Sequence, residues 1–317
     1  MRSTLAEARP LQEAVAPAPL AVTGLEKRYA GFALGPVTFT VPGGMVAGLV
    51  GRNGAGKTTI MRSVLGLTKP DGGTVSLFGQ DVSALSPKEA LPLRQQVASV
   101  WAVCPYPEVY AAGDIARIFE GLYPRFDRRY LAELLERMAA GHGTGTDVAT
   151  SPIKSLSRGQ GMKLQIALAL ATHAELLVLD EPTAGLDPIV RQEVLDILRA
   201  HLAAFPDTSI LISSHITTDL EGLADRIILI EEGRICLAVD ADVLEERYAK
   251  LLVHSFVFEE RRRAFREAGA TRYIEEGGHV QLLIEDAPRF ARTFPDMAPE
   301  PITLDALMRL VVKGADL

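Results

Sequence analysis

The eight residues GRNGAGKT, Gly51 to Thr58, constrain this chain more than any other stretch. They follow the apolar run Met45 to Val50 and lead into the helical pattern TIMRSVLGL. Strand, glycine-rich loop and helix in that order fit G-x-x-x-x-G-K-[ST], a loop whose backbone N–H groups face a phosphate. Glycines let the main chain approach the anion, and the helix N-terminus adds partial positive charge. The spacing makes Asn53, Gly54, Gly56, Lys57, Thr58 and Thr59 candidate nucleotide contacts. Lys57 would reach the β- and γ-phosphates and share in catalysis, while the Thr58 hydroxyl would hold Mg2+.

A second apolar run, LLVLDE, ends in Asp180 and Glu181. A buried strand that finishes in two acids places them at the sheet edge where such a phosphate loop opens. Asp180 suits the metal, and Glu181, one residue on, suits general-base work on an attacking water. SILISSH and RIILIEEGR read as further strands separated by helical patterns, which predicts a mainly parallel, helix-covered sheet. Ahead of it, residues 19 to 45 hold short β-rich runs punctuated by Gly and Pro, an antiparallel β subdomain. Between about 86 and 165 the pattern turns helical, with DIARIFEGLY and RRYLAELLERMAA as amphipathic segments and GHGTGTDVATSP as a break.

At 317 residues the chain accommodates one large domain and a smaller one. The expected division is a disordered tail at 1–18, a nucleotide-binding domain at 19–250 and a small α+β extension at 251–317. The formal charge of −7 argues against nucleic acid as a partner, which calls for a basic face. Two cysteines far apart, Cys104 and Cys236, match neither a disulfide framework nor a metal spacing. No window reaches the roughly eighteen unbroken apolar residues of a membrane span. If the protein works at a membrane, another chain supplies the span.

SLSRGQ, near the foot of a long apolar helix pattern, holds no acid, histidine or cysteine. Ser157 stands where an N-cap would, and the N–H groups around Gly159 and Gln160 belong to a helix N-terminus, so this is a second apparent anion site. In order and interval, GRNGAGKTT, SLSRGQ, LLVLDEPTAGLDP and ISSH resemble the ATP-binding cassette family over about residues 19 to 245.

The resemblance implies an ATPase, with ATP and Mg2+ as cofactors. It implies a head-to-tail dimer in which Ser157, Gly159 and Gln160 of one copy close over the ATP of the other. Tyr29 matches the family's adenine-stacking aromatic, His215 its switch histidine at the γ-phosphate, and Ala184 to Asp187 its loop linking two copies. Partners so implied are membrane permease subunits and a second ATPase copy. The place implied is the cytoplasm, at the inner face of the membrane. Two departures stand out. A glutamine expected near Ala102 is missing, with Gln95 and Gln96 too early and Glu108 an alternative oxygen donor; and Arg158 replaces a usual glycine.

SRGQGMKLQIALAL and the ending ITLDALMRLVVKG look like bacterial exporter-type subunits that pair with separate permeases. Two other readings stay open: a soluble ATPase of an assembly or remodelling machine, and a weakly hydrolysing, ATP-gated binding module.

Overall fold

The computed structural model describes residues 17–139 and 151–317. The expected tail, apart from its last two residues, and most of the GHGTGTDVATSP break lie outside them. Strands β1 (Leu20–Tyr29) and β2 (Phe32–Val41) form an antiparallel hairpin, then β3 (Val46–Val50) runs into helix α1 (Lys57–Val64). β4 (Gly72–Leu77) and the short β5 (Gln80–Asp81) return to that hairpin, giving a sheet of order β2-β1-β4-β5. Next come α2 (Pro87–Arg94), β6 (Val97–Val100), α3 (Ala112–Leu122) and α4 (Arg128–Ala139). After these stand α5 (Arg158–Leu170), β7 (Leu176–Asp180), α6 (Pro188–Ala204), β8 (Ser209–Ser214), β9 (Arg226–Glu231) and β10 (Arg234–Asp240).

The central sheet has the order β10-β9-β3-β8-β7-β6, parallel except for β10. β3, β7 and β8 are buried at every residue, because helices and the first sheet cover both faces. That is why their sequences read as unbroken apolar runs rather than alternating ones. β6, in the stretch VASVWA, interrupts the otherwise helical interval and pairs with β7 as the edge of this sheet. α5 is buried at every position from Gly161 to Leu170 and packs on α4, α6 and β6. Its one lysine, Lys163, is neutralised by Glu193 at 2.5 Å and donates to the Met138 carbonyl at 3.2 Å, in the last turn of α4.

The chain then passes through α7 (Ala241–Arg247) into a third sheet. β11 (Ala249–His254), α8 (Ser255–Glu267), β12 (Ala270–Glu276), β13 (His279–Ile284), α9 (Ala287–Thr293), β14 (Glu300–Pro301), α10 (Leu304–Lys313) and β15 (Ala315–Asp316) follow. The antiparallel order is β14-β11-β13-β12-β15. Phe258, Phe265 and Phe290 fill a core of its own, while Leu304, Leu307 and Leu310 of α10 belong to the main core. Among the described residues no helix is long and apolar enough to cross a membrane.

Tyr130 of α4, His173, and His201 and Phe205 at the end of α6 form an aromatic cluster. His201 is 2% exposed, with Tyr130 Oη 3.0 Å from Nδ1 and Thr208 Oγ1 3.4 Å from Nε2. Burial first, and the neighbouring His173 second, push its pKa down from 6.5 to about 4. A folded-state pKa below the unfolded value means that the unfolded chain binds the proton first. His201 therefore costs no stability above pH 6.5 and destabilises progressively as pH falls towards 4. Urea unfolding should show about 2 kcal/mol lost from this group between pH 7 and pH 5. That part of the slope should vanish in His201→Gln.

Candidate active site

β3, β7 and β8 are parallel neighbours, so the loops leaving their C-terminal ends open side by side. Gly56, the N-cap of α1, has φ 113°, a conformation that L side chains rarely adopt. A Cβ on Gly51 would stand 2.2 Å from the Ile230 carbonyl oxygen, so only glycine lets this loop lie against β9. The loop wraps Lys57, which is 5% exposed and donates to the carbonyls of Gly51 at 2.7 Å and Arg52 at 3.2 Å. Its ammonium also faces Glu181 Oε1 at 3.1 Å.

Asp180 and Glu181 divide the work around that lysine. Thr58 Oγ1 donates to Asp180 Oδ2 at 2.9 Å, and Ser213 Oγ donates to Asp180 Oδ1 at 2.7 Å. Ser213 Oγ also accepts from the Glu181 N–H at 2.9 Å. Glu181 has φ 50°, costly for a residue with a side chain and tolerated only where its surroundings hold it. Those surroundings are Ser213 on its N–H, Lys57 on Oε1, and on Oε2 the His215 Nδ1 at 2.5 Å and N–H at 3.3 Å. Lys57, Thr58, Asp180, Glu181 and His215 thus form one connected cluster.

The donor set suits Mg2+: a hydroxyl and a carboxylate, both hard oxygens, meet at Thr58 and Asp180. Among the described residues no group of three or more His, Cys, Asp or Glu could hold a metal. Magnesium with one or two protein oxygens, completed by water and substrate phosphates, is the arrangement such a sparse set serves.

The remaining candidates lie outside this cluster. Asn53 and Gly54 line an open cleft of about 690 Å³ together with Phe32, Arg52, Glu231 and Arg234. Tyr29, 47% exposed, stacks on Phe32 with ring centroids 6.5 Å apart, and the Lys27 ammonium lies 5.8 Å from the Tyr29 centroid. The Thr59 carbonyl accepts from Ser63 Oγ at 2.9 Å. Ser157 is the N-cap of α5: the Gln160 N–H donates to its Oγ at 3.2 Å, and Gln160 Oε1 accepts from the Ser157 N–H at 2.8 Å. Gly159 leaves no spare room, since a Cβ there would lie 3.2 Å from Val190 Cγ1. No hydrogen bond or ion pair among the described residues joins Ser157, Gly159 or Gln160 to the phosphate loop.

Both sequence departures have local accounts. The backbone beside Ala102 meets a glutamine from elsewhere: Gln165 of α5, 1% exposed, accepts from the Trp101 N–H at 3.1 Å and donates to its carbonyl at 3.2 Å. Gln95 and Gln96 donate to the Leu122 and Pro92 carbonyls instead, and Glu108 is exposed. Arg158 lays its guanidinium on Gly185, where a Cβ would stand 2.6 Å from Nη1. It therefore touches the Ala184 to Asp187 loop of its own chain. Asp187 caps α6, accepting from the N–H groups of Ile189 and Val190 at 3.1 Å each.

A phosphate loop leaving β3 of a mainly parallel sheet, with acids at the end of β7 one strand removed, defines a P-loop nucleoside triphosphatase. The ABC transporter family model matches residues 34–184. The chain is 32% identical over 215 residues to the ABC transporter ATP-binding protein YtrB of Bacillus subtilis (strain 168), covering 68% of this chain and 69% of that protein. It is 36% identical over 221 residues to the Nod factor export ATP-binding protein I of Burkholderia orbicola (strain AU 1054), with the same coverage. A solved ATP-binding subunit of an ABC transporter superposes with a TM-score of 0.61 at 26% identity, over 71% of this chain and 91% of that one. The chain belongs to the ABC transporter ATP-binding family and is an ATP-hydrolysing enzyme.

Ser213 lies within the ISSH stretch, yet it escapes sequence reading as a site residue because nothing local shows which of the two serines faces Asp180. Removing its hydroxyl leaves the Glu181 N–H and one Asp180 oxygen short of a partner. Ser213→Ala should lower the unfolding free energy by about 1–3 kcal/mol in urea titration. A loss below that range would mean that neighbouring groups re-pair the two.

Proposed function

We propose that this chain drives export, binding ATP as a head-to-tail pair and passing the motion to a separate membrane permease. The single observation that carries the hydrolytic part is the Glu181 carboxylate held between Lys57 and His215 at the mouth of the phosphate loop. In this reading Lys57 leaves Glu181 for the β- and γ-phosphates, and Glu181 takes the proton of the water that attacks the γ-phosphate. His215 holds Glu181 and the γ-phosphate in line. Mg2+, held by Thr58 and Asp180, would neutralise charge on the β- and γ-phosphate oxygens. Tyr29, beside the Phe32 wall of the cleft, stacks on the base.

The dimer part rests on the position of Ser157, Gly159 and Gln160, a capped helix N-terminus away from its own chain's phosphate loop. The permease part rests on the exposed apolar residues Val103, Val109, Tyr110 and Ile118, on and before α3. Large exposed apolar patches mark interaction surfaces, and a membrane partner places this chain at the inner face of the membrane. The export direction rests on the kinship with the Nod factor export protein.

Replacing Glu181 with Gln removes the base while keeping the side chain's size. Hydrolysis should fall at least about 100-fold with ATP still bound, and light scattering with ATP and Mg2+ should show the mass of two chains. Hydrolysis at the parent rate would remove Glu181 as the base. Bound ATP with the mass of one chain would remove the self-paired dimer.

A further inference from the structure

Behind the Glu181–His215 pair stands a carboxylate that the reaction scheme leaves unused. Asp219 is fully buried, at 0% exposure, in the short 3-10 turn Thr217–Asp219 that follows His215. Thr183 Oγ1, two residues beyond Glu181, donates to its Oδ2 at 2.5 Å. Arg191 of α6 pairs with its Oδ1 and reaches Thr218 Oγ1 at 2.6 Å. A carboxylate wholly removed from water is costly unless paired, and here each oxygen has its own partner on a different segment. A turn needing only to be filled would be served by an apolar side chain.

Glu181 and His215 leave adjacent strands on separate loops, and their contact depends on how those loops are held. Ser213 ties them at the base, through Asp180 Oδ1 and the Glu181 N–H. The Ser214 hydroxyl closes the His215 turn on itself, donating to the Ile216 carbonyl at 3.0 Å and accepting from the Ile216 N–H at 2.9 Å. Neither bond fixes the far end of the Glu181 loop. The Thr183–Asp219 bond joins the loop itself to the turn carrying His215, and Arg191 of α6, just past the loop, holds the other oxygen of the same carboxylate. We infer that Asp219, acting through Thr183, is a positioning residue for ATP hydrolysis that holds the loop after Glu181 to the turn after His215. This rests on the reading of Glu181 as base. A carboxylate misplaced by about 1 Å from its attacking water loses on the order of 100-fold in rate, so the link acts on turnover more than on binding.

Thr183→Val removes the hydroxyl at constant volume and leaves the Asp219–Arg191 pair intact, so the chain still folds around a paired charge. The full-length parent, Thr183→Val, Thr183→Ser and Glu181→Gln are compared in single-turnover hydrolysis with protein in excess of ATP and Mg2+. ATP affinity and the imidazole nitrogen NMR shifts of His215 are followed in parallel. The expected result for Thr183→Val is a rate lower by about 10- to 100-fold, ATP affinity within about threefold, and displaced His215 shifts. Thr183→Ser should restore all three towards the parent. A Thr183→Val rate near the parent's, with His215 shifts unmoved and Glu181→Gln inactive, overturns the positioning role and spares the base. If Glu181→Gln hydrolyses normally, the base reading falls instead, and His215 shifts that stay put in Thr183→Val then overturn the link as well. A uniform loss of rate and ATP affinity, unrelieved by Thr183→Ser, marks Thr183 as structural and also overturns it.

Discussion

An ammonium that is 5% exposed can exist only where oxygens surround it, and the architecture around the active site follows from that requirement at Lys57. Two of the oxygens are carbonyls of its own loop, which must therefore curl tightly enough to turn Gly51 and Arg52 inward. The curl is possible because Gly51 has no Cβ to strike the Ile230 carbonyl, which ties the loop to β9 as well as to β3. The third oxygen, from Glu181, has to come from the end of another strand. A parallel sheet supplies it, since β3, β8 and β7 all end at the same edge.

What the sequence made legible was local. The phosphate loop reads directly because glycine spacing and the following lysine are required within one turn of chain. β3, β7 and β8 read as strands because both their faces are covered. Ser157 and Gln160 read as a helix start because a capping box spans three residues. The partners that complete the site were not legible, and the reason is distance along the chain. Gln165 reaches Trp101 from 64 residues away, and Ser213 reaches Asp180 from 33. In SILISS two adjacent serines look alike. Only the register Asp180↔Ser213 turns one towards the acid, leaving Ser214 to brace the turn beyond.

The same lesson holds for the part of the chain after Ala249. Its change of composition is readable as a small α+β unit, and its sheet and phenylalanine core are of that kind. What composition hides is that α10 does not stay with that core. Thr303 caps it in an ordinary way, yet the N–H of Leu304 donates to Glu221 Oε1 at 3.0 Å, across 83 residues. A carboxylate at a helix N-terminus is favourable through both the hydrogen bond and the helix dipole.

Glu221 lies two residues beyond Asp219, so one short connection between β8 and β9 carries two structural carboxylates facing different layers. Asp219 looks inward to Thr183 and Arg191, and Glu221 looks to α10. The backbone around them is a tight turn, in which the Ile216 carbonyl accepts from the Asp219 N–H and the Thr217 carbonyl accepts from the N–H groups of Leu220 and Glu221. The segment that presents His215 to Glu181 is therefore also the seat of the C-terminal helix. Leu304, Leu307 and Leu310 bury their side chains in the main core beside Leu220 and Leu223 of that connection. The carboxylate that ties the His215 turn to the loop after Glu181 and the carboxylate that meets the N-terminus of α10 thus stand two residues apart on one connection, packed against the main core.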